Sequence, residues 1–234
     1  MSTLAWLLDP GQWSGASGIP ARLGEHLWYC FVAVVVAAAV GLPLGLLTGH
    51  RHRGGLPVTA VATYWRAVPT LGVVVLVFRL APLSVWPVVV ALVVIAVPPM
   101  LLNADAALRG VDPRVVDAAR GMGMTGRQQF RLVEVPLGLP LIMAGIRSAT
   151  AQVVATATVA AFVGLGGLGR YVVDGYAARD FAEITGGALL IAVLALSLDG
   201  VLALVQRRLD PARGPRRRLP GHLLGTIHVT PEKT

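Results

Sequence analysis

The sequence predicts an all-α membrane protein with about five transmembrane helices. Hydrophobic residues make up 55% of its 234 residues and charged residues only 14%, whereas soluble domains carry about 25% charged residues. Apolar runs long enough to cross a bilayer recur along the chain and are separated by arginine-rich stretches. The net charge of +8 comes from arginines between and after these runs. This placement is typical of membrane topology and not of a nucleic-acid-binding face.

Three regions follow from the hydropathy pattern. Residues 1–23 are mixed, and Trp6 and Trp13 suit an external or interfacial segment at the headgroup boundary. Residues 24–208 form the predicted transmembrane domain. Residues 209–234 form a predicted basic cytoplasmic tail, which is either a disordered extension or an anchor that sets the membrane topology. The predicted spans are 27–48, 57–80, 85–102, 137–163 and 184–205.

The basic residues predict the orientation of these spans. Between the third and fourth spans lies a polar, basic stretch, residues 103–136, which we call the polar segment. With the polar segment inside the cell, the inner loops and tail hold fourteen Lys and Arg residues and the outer loops hold four. This bias places the N-terminus outside and the C-terminus inside, and five spans fit that parity.

The polar segment has the signals of two short helices joined by a glycine turn. Asp112 followed by Pro113 is a helix start, and the small residues that follow would let another surface come close. Gly121 and Gly123 then break the helix. The second helix has Thr125 and Gln128 in capping-box positions and stops before Pro136. Residue chemistry alone leaves two readings open: an interfacial helix pair without a partner, or a docking element.

The spacing inside the polar segment resembles the EAA motif of the permease subunits of ABC importers. That motif is an acidic residue followed by two alanines, then a glycine, then two aliphatic residues and a proline at fixed intervals. Here Asp117-Ala118-Ala119, Gly123, Val133, Val135 and Pro136 occupy those positions, with Asp for Glu. The Gly-Met-Gly-Met-Thr core at 121–125, the stretch 134–147, Arg66 to Leu71 and the Gly-rich stretch 162–169 are similar to the osmoprotectant (glycine betaine/carnitine/choline, OpuC/ProW-type) branch.

This resemblance implies the MetI-like type I ABC importer permease fold, with the polar segment as a cytoplasmic coupling loop. It also implies a multi-pass subunit of the bacterial inner or plasma membrane that imports glycine betaine, carnitine, choline or proline. An ABC permease for an amino acid such as methionine is the alternative. The implied partners are a cytoplasmic ATPase pair, a second permease subunit that is identical or paralogous, and an external substrate-binding protein. ATP and Mg would be bound by the ATPase, and this chain would bind no cofactor or metal.

By the same resemblance, the residues that couple transport to the ATPase are Asp117, Ala118, Ala119, Arg120, Gly121, Gly123 and Pro136. Arg120 and Arg127 either pair with acids on the ATPase or are solvated surface charges. A quaternary ammonium group binds aromatic faces through cation–π contacts. Tyr64 and Trp65 are therefore candidates for the substrate path, or else interfacial anchors. Gln152 and Thr156 lie on a small, polar stripe that either packs helices or lines the path.

Acidic residues near the span ends leave further choices. Asn103 and Asp105 either cap the third span, which we favour, or face an exit. Asp199 lies within the last span, where an acid is a functional candidate by default. The alternative for Asp199 is pairing with Arg207 or Arg208.

Two other function classes compete with the importer subunit. The run from Asp174 to Arg179 matches part of the signature of membrane CDP-alcohol phosphotransferases. The further acids of that signature are replaced by Tyr171, Ala188 and Ala192, so its metal site cannot be built. A stand-alone secondary carrier would not explain the EAA spacing. The chain also lacks a Walker A sequence. We therefore expect a transport subunit without an ATPase site of its own.

Overall fold

The computed structural model describes residues 2–51 and 85–209, with the single positions Ala60, Gly72, Leu76 and Arg79 between them. A 3-10 turn covers Pro10–Trp13 and another covers Thr158–Val163, while a π-helical turn, Phe130–Glu134, precedes the fourth-span helix. The described α-helices are α1 (Thr3–Leu8), α2 (Ile19–Arg51), α3 (Trp86–Arg109), α4 (Pro113–Gly121), α5 (Gly126–Gln129), α6 (Val135–Ala157), α7 (Gly169–Ala178) and α8 (Phe181–Leu209).

Four helical stretches in the described residues are long and apolar enough to cross a membrane: Ile19–Arg51, Trp86–Arg109, Gly126–Ala157 and Phe181–Leu209. They coincide with the first, third, fourth and fifth predicted spans, so the predicted all-α membrane architecture is confirmed. The second predicted span, 57–80, lies outside the described residues, and Tyr64 and Trp65 lie outside them with it.

Each of these four helical stretches extends beyond its predicted span at one or both ends. Helix α2 begins at Ile19, within the stretch assigned to the N-terminal segment, and α3 continues to Arg109, within the polar segment. Neither Asn103 nor Asp105 caps a helix end there. Asn103 Nδ2 donates to the carbonyl oxygen of Pro99, one turn back. Asp105 accepts from Arg109 Nε at 2.8 Å. Because these polar groups find partners within the described chain, the helix continues past them.

Helix α3 lies at the centre of the described bundle and contacts both α2 and α6. A row of glycines on α2, one per turn, brings the α2 and α3 backbones together. A Cβ at Gly41 would lie 3.0 Å from the carbonyl oxygen of Val97, and one at Gly45 would lie 2.8 Å from the Ala104 Cβ. The interface between α2 and α3 therefore has no room for a larger side chain at these positions.

The N-terminal helix α1 packs against α8. Trp6 is only 4% exposed, and its ring meets the ring of Tyr171 edge-on at 5.1 Å. Trp6 is packed within the protein, because its indole fills the space over Gly186, where a side chain would collide with it. Trp13 is 53% exposed, as an interfacial residue would be.

Candidate functional site

The polar segment folds as helix, glycine turn and helix. Asp112 caps α4 by accepting from the Arg114 backbone N–H at 2.9 Å. At the other end the Met124 N–H donates to the Ala119 carbonyl and the Gly123 N–H to the Arg120 carbonyl. This pattern is a Schellman motif, and Gly123 takes the left-handed φ of +81° that the motif requires. The predicted helix break is thereby located at Gly123.

The second helix of the polar segment begins with the predicted capping box. Thr125 Oγ1 accepts from the Gln128 N–H at 3.4 Å, and the Gln128 side chain accepts from the Thr125 N–H at 2.8 Å. Helix α5 is only one turn long and runs into the π turn Phe130–Glu134. The predicted helix end before Pro136 is wrong, because α5, the π turn and α6 form one continuous helical stretch, Gly126–Ala157, and Pro136 lies within it. π turns such as Phe130–Glu134 are rare, and they occur frequently at functional sites.

Most of the motif residues on α4 and its glycine turn lie on the surface. Asp117 and Arg120 are 3.5 Å apart as an ion pair, and their side chains are 70% and 64% exposed. Ala118, Gly121 and Gly123 are also exposed. Ala119, by contrast, is 1% exposed, and α4 contacts the π turn. The side chain of Ala119 therefore packs inside the chain, and the exposed residues alone can meet another protein.

The far end of the polar segment is bonded to α2. Glu134 is 4% exposed, and its Oε2 lies 2.5 Å from Nδ1 of His50. An ionised carboxylate can only accept, so Nδ1 of His50 carries the hydrogen of this bond. The Phe130 ring stands edge-on to the imidazole, with ring centroids 5.2 Å apart. None of these three residues was singled out for this contact in the sequence, because 84 positions separate His50 from Glu134.

The near end of the polar segment is bonded to α2 as well. Arg109 Nη2 donates to the carbonyl oxygen of Thr48 at 3.1 Å, while its Nε donates to Asp105 at 2.8 Å. Thr48 lies in the last described turn of α2. Arg109 therefore fixes the end of α3 to the end of α2.

A second polar network joins α6 to α8. The guanidinium of Arg147 donates to both carboxylate oxygens of Asp199, each at 2.8 Å. A third bond runs from Arg147 Nη1 to Gln206 Oε1, and Gln206 in turn donates to the Pro140 carbonyl. The expected partners of Asp199, Arg207 and Arg208, are therefore wrong. The two arginines follow Asp199 at 8 and 9 positions, whereas Arg147 faces it from the neighbouring helix.

The polar stripe on α6 is brought to the surface of the described residues. Gln152 is exposed and Thr156 is half-buried one turn later, while Val153 and Val154 between them are fully buried. Gln152 and Thr156 therefore share a face of α6 that points away from the core of the described residues.

The beginning of α2 meets the Gly-rich connector at a compact corner. Glu25 Oε2 accepts from the backbone N–H of Gly167 at 2.7 Å and from Arg22 Nη1 at 3.1 Å. His26 is fully buried, and its Nε2 lies 3.1 Å from the Val154 carbonyl oxygen. Gly167 needs a φ of +87°, which favours glycine. Nearby, Tyr171 donates to the Ser17 carbonyl, and burial raises the pKa of its hydroxyl.

Within the described part of the chain, the phosphotransferase-like run from Asp174 to Arg179 belongs to no group of acidic, His or Cys side chains that could hold a metal ion. Asp174 lies on α7 and pairs with Arg170, one turn earlier, at 2.5 Å. Arg179 takes a left-handed φ of 57° and ends the helix. The run therefore serves as an ordinary helix with a C-terminal turn.

Comparison with known proteins identifies the class of this molecule. Residues 41–214 match the family model described as "Binding-protein-dependent transport system inner membrane component". The chain belongs to this family. The match covers the glycine row of α2, the whole polar segment and the α6–α8 network, so these three features lie within the family region.

Relatives of the transport family span nearly the full length of the chain. It is 36% identical to the "Glycine betaine/carnitine/choline transport system permease protein OpuCB" of Bacillus subtilis (strain 168), over 81% of this chain and 88% of that protein. It is 33% identical to the "Osmoprotectant import permease protein OsmW" of Salmonella typhimurium, over 90% of this chain and 98% of that protein. It is 34% identical to the "Carnitine transport permease protein OpuCD" of Listeria monocytogenes, over 94% of this chain and 98% of that protein.

Two solved structures of ABC transporters share the fold of this chain. A methionine ABC transporter, MetNI, in an inward-facing form matches with a TM-score of 0.71 and 24% identity, over 89% of this chain and 99% of the other. An amino acid ABC transporter with histidines matches with a TM-score of 0.69 and 20% identity, over the same shares. The fold is therefore that of the MetI-like importer permeases, as the resemblance implied.

Proposed function

We propose that this chain is the permease subunit of an ATP-driven importer for osmoprotectants such as glycine betaine, carnitine, choline or proline. The observation that carries the proposal is the polar segment, which presents Asp117, Ala118, Arg120, Gly121 and Gly123 on a capped, protruding helix and turn. Support for the substrate class comes from relatives of 33–36% identity that are named for osmoprotectant, carnitine or choline transport.

In this proposal the polar segment docks on a cytoplasmic ATPase pair, which holds ATP and Mg. The exposed face of α4 makes the contact. Ala119 supports it from behind, because it is packed within the chain. Pro136 sets the start of α6. The chain itself carries no Walker A sequence, so the nucleotide belongs to the partner.

The proposed orientation in the bacterial inner or plasma membrane is N-terminus outside and C-terminus inside. The bond between His50 and Glu134 supports it, because it puts the end of α2 on the same side as the polar segment. The basic residues Arg51, Arg109 and Arg114 share that side. An external binding protein would deliver substrate at the opposite end, and a second permease subunit, identical or paralogous, would complete the path.

The substrate path is proposed to run along the exposed polar face of α6, with Gln152 and Thr156 on it, and past Tyr64 and Trp65. Gln152 is exposed in the single chain, which is what a residue lining a path between two subunits requires. Methionine is the second candidate substrate because a methionine transporter has the same fold. An identity below 25% carries the fold alone, so osmoprotectants remain the first candidate.

The test is uptake in a bacterial strain that lacks its own osmoprotectant and methionine importers. The chain is expressed with the ATPase and binding protein encoded beside it, and uptake of labelled glycine betaine, choline, carnitine, proline and methionine is measured. We expect ATP-dependent uptake of at least one quaternary amine or proline, and none when the ATPase is inactivated. Uptake of methionine alone would show that the substrate is an amino acid and not an osmoprotectant. Failure of the chain to co-purify with the ATPase would overturn the proposal that it is an ABC permease subunit.

A further inference from the structure

The polar segment contacts the same turn of α2 near both of its ends, where it joins α3 and where it joins α6. Arg109, where α3 ends, binds the Thr48 carbonyl at 3.1 Å. Glu134, where the π turn ends, binds His50 at 2.5 Å. Thr48 and His50 both lie in the last turn of α2 (Ile19–Arg51). We call Thr48 and His50, with their partners Arg109 and Glu134, the α2 clamp.

Both contacts of the clamp are strong for their positions. Glu134 is a buried carboxylate, and the imidazole of His50 is the hydrogen-bond donor that the structure gives it. Such a charge-assisted bond is shorter and about twice as strong as a neutral one. Arg109 is held on its other side by Asp105, which is itself 4% exposed. The guanidinium is thus fixed between two helices.

The helices that carry the clamp are closely packed against each other. A Cβ at Gly49, between Thr48 and His50, would lie 2.8 Å from the Asp105 carbonyl oxygen. The backbones of α2 and α3 are therefore in contact at this turn, and close-packed elements move as rigid bodies. The clamp therefore gives a displacement of the polar segment a direct route to α2, in addition to the packing of α3 against α2.

We propose that the α2 clamp transmits the motion of the polar segment to α2, with His50 and Glu134 as positioning residues for coupling. The inference rests on the proposed function and deepens it, because it names where force from the ATPase enters the bundle. Glu134 stands between the two aliphatic positions of the motif, Val133 and Val135, so the clamp connects the motif to a helix far away in the sequence.

The test uses the full complex of permease, ATPase and binding protein in lipid vesicles, and measures ATP hydrolysed per substrate imported. His50→Ala leaves a buried carboxylate without this donor, so we expect the ratio to rise about tenfold, the effect of one lost charge-assisted hydrogen bond. Glu134→Gln keeps the shape and removes the charge, so the rise is smaller. The double variant, His50→Ala with Glu134→Gln, should have the same ratio as Glu134→Gln alone, because it contains no unpaired carboxylate charge. Arg131→Gln, an exposed change in the same π turn, serves as the matched control.

Distinct outcomes refute the two proposals. A wild-type complex that neither hydrolyses ATP in response to loaded binding protein nor imports substrate overturns the proposed function. A wild-type complex that works, with a wild-type ratio in His50→Ala or with the double variant's effect equal to the product of the singles, overturns the clamp alone. A purely structural role would lower the amount of assembled complex but not the ratio, so assembled complex is quantified for each variant.

Discussion

Arg147 on α6 and Asp199 on α8 form a two-pronged ion pair, with both oxygens of the carboxylate accepting at 2.8 Å. The pair lies between two helices that are apolar enough to span a membrane. Polar groups at such depth need a partner, since lipid offers none. Gln206 completes the arrangement by linking Arg147 to the Pro140 carbonyl. The network therefore fixes the relative position of α6 and α8.

Removing one member of this pair is expected to destabilise the protein more than removing both. Asp199→Asn leaves the Arg147 guanidinium without its anion, whereas Arg147→Gln with Asp199→Asn leaves two neutral groups that can bond to each other. The thermal midpoint of the protein in lipid nanodiscs measures this, and we expect the single variant to melt below the double variant. Ser197→Ala, a change at an exposed position of α8, is the control. A double variant that melts lower than either single would contradict the expectation.

The row of glycines on α2 predicts that larger side chains at these positions destabilise the interface between α2 and α3. Gly45→Val would push Cβ to 2.8 Å from the Ala104 Cβ and add further methyl groups. Overpacking of this kind costs about 1–3 kcal/mol. Gly200→Ala on α8 meets no atom within 4 Å, so it should be neutral or stabilise by up to about 1 kcal/mol. Unfolding in detergent measures both, and equal midpoints for the two variants would contradict this prediction.

Local chemistry in the sequence predicted four of the spans and the caps of α4 and α5, since each depends on neighbouring residues. Asp112 and Thr125 cap the helices that their spacing indicated. Contacts between distant segments could not be predicted in this way. For Asp199, sequence distance suggests Arg207 or Arg208 as the alternative to a functional role, whereas its partner Arg147 lies 52 positions away. The pairing of His50 with Glu134 was missed for the same reason.

The face of a short helix is equally hard to predict. Ala118 and Ala119 are adjacent and chemically identical, yet one is exposed and the other is buried. The choice depends on where the π turn lies relative to α4, and no pattern within nine residues carries that information. The motif thus located the docking helix, while the structure decided which of its side chains are available for contact.

The corner between Glu25 and Gly167 predicts a local change in hydrogen exchange. Glu25 Oε2 accepts from the Gly167 N–H at 2.7 Å, and a hydrogen bond to a charged group contributes about 1.5–3 kcal/mol. Glu25→Ala should therefore speed exchange at the connector 164–169 by about tenfold or more. Mass spectrometry of the intact protein measures this. Asp9→Ala, which removes a side-chain bond to the Gly11 N–H at a surface turn, should leave the connector unchanged. Equal exchange at the connector in wild type and Glu25→Ala would show that the bond does not hold it.

Gly123 allows backbone strain to be separated from crowding in the coupling turn. Its φ is +81°, and a Cβ there would meet nothing within 4 Å. A side chain at this position therefore costs about 1–2 kcal/mol through the left-handed backbone alone. We expect Gly123→Val to insert into the membrane normally, to bind the ATPase less and to import less substrate for each ATP hydrolysed. Gly123→Asn should lie between Gly123→Val and wild type, because Asn tolerates the left-handed region. Gly126→Ala is the control, since Gly126 is the first residue of α5 and also has open space around it. If Gly123→Val matched wild type in both ATPase pull-down and uptake, the turn would not need its glycine for coupling.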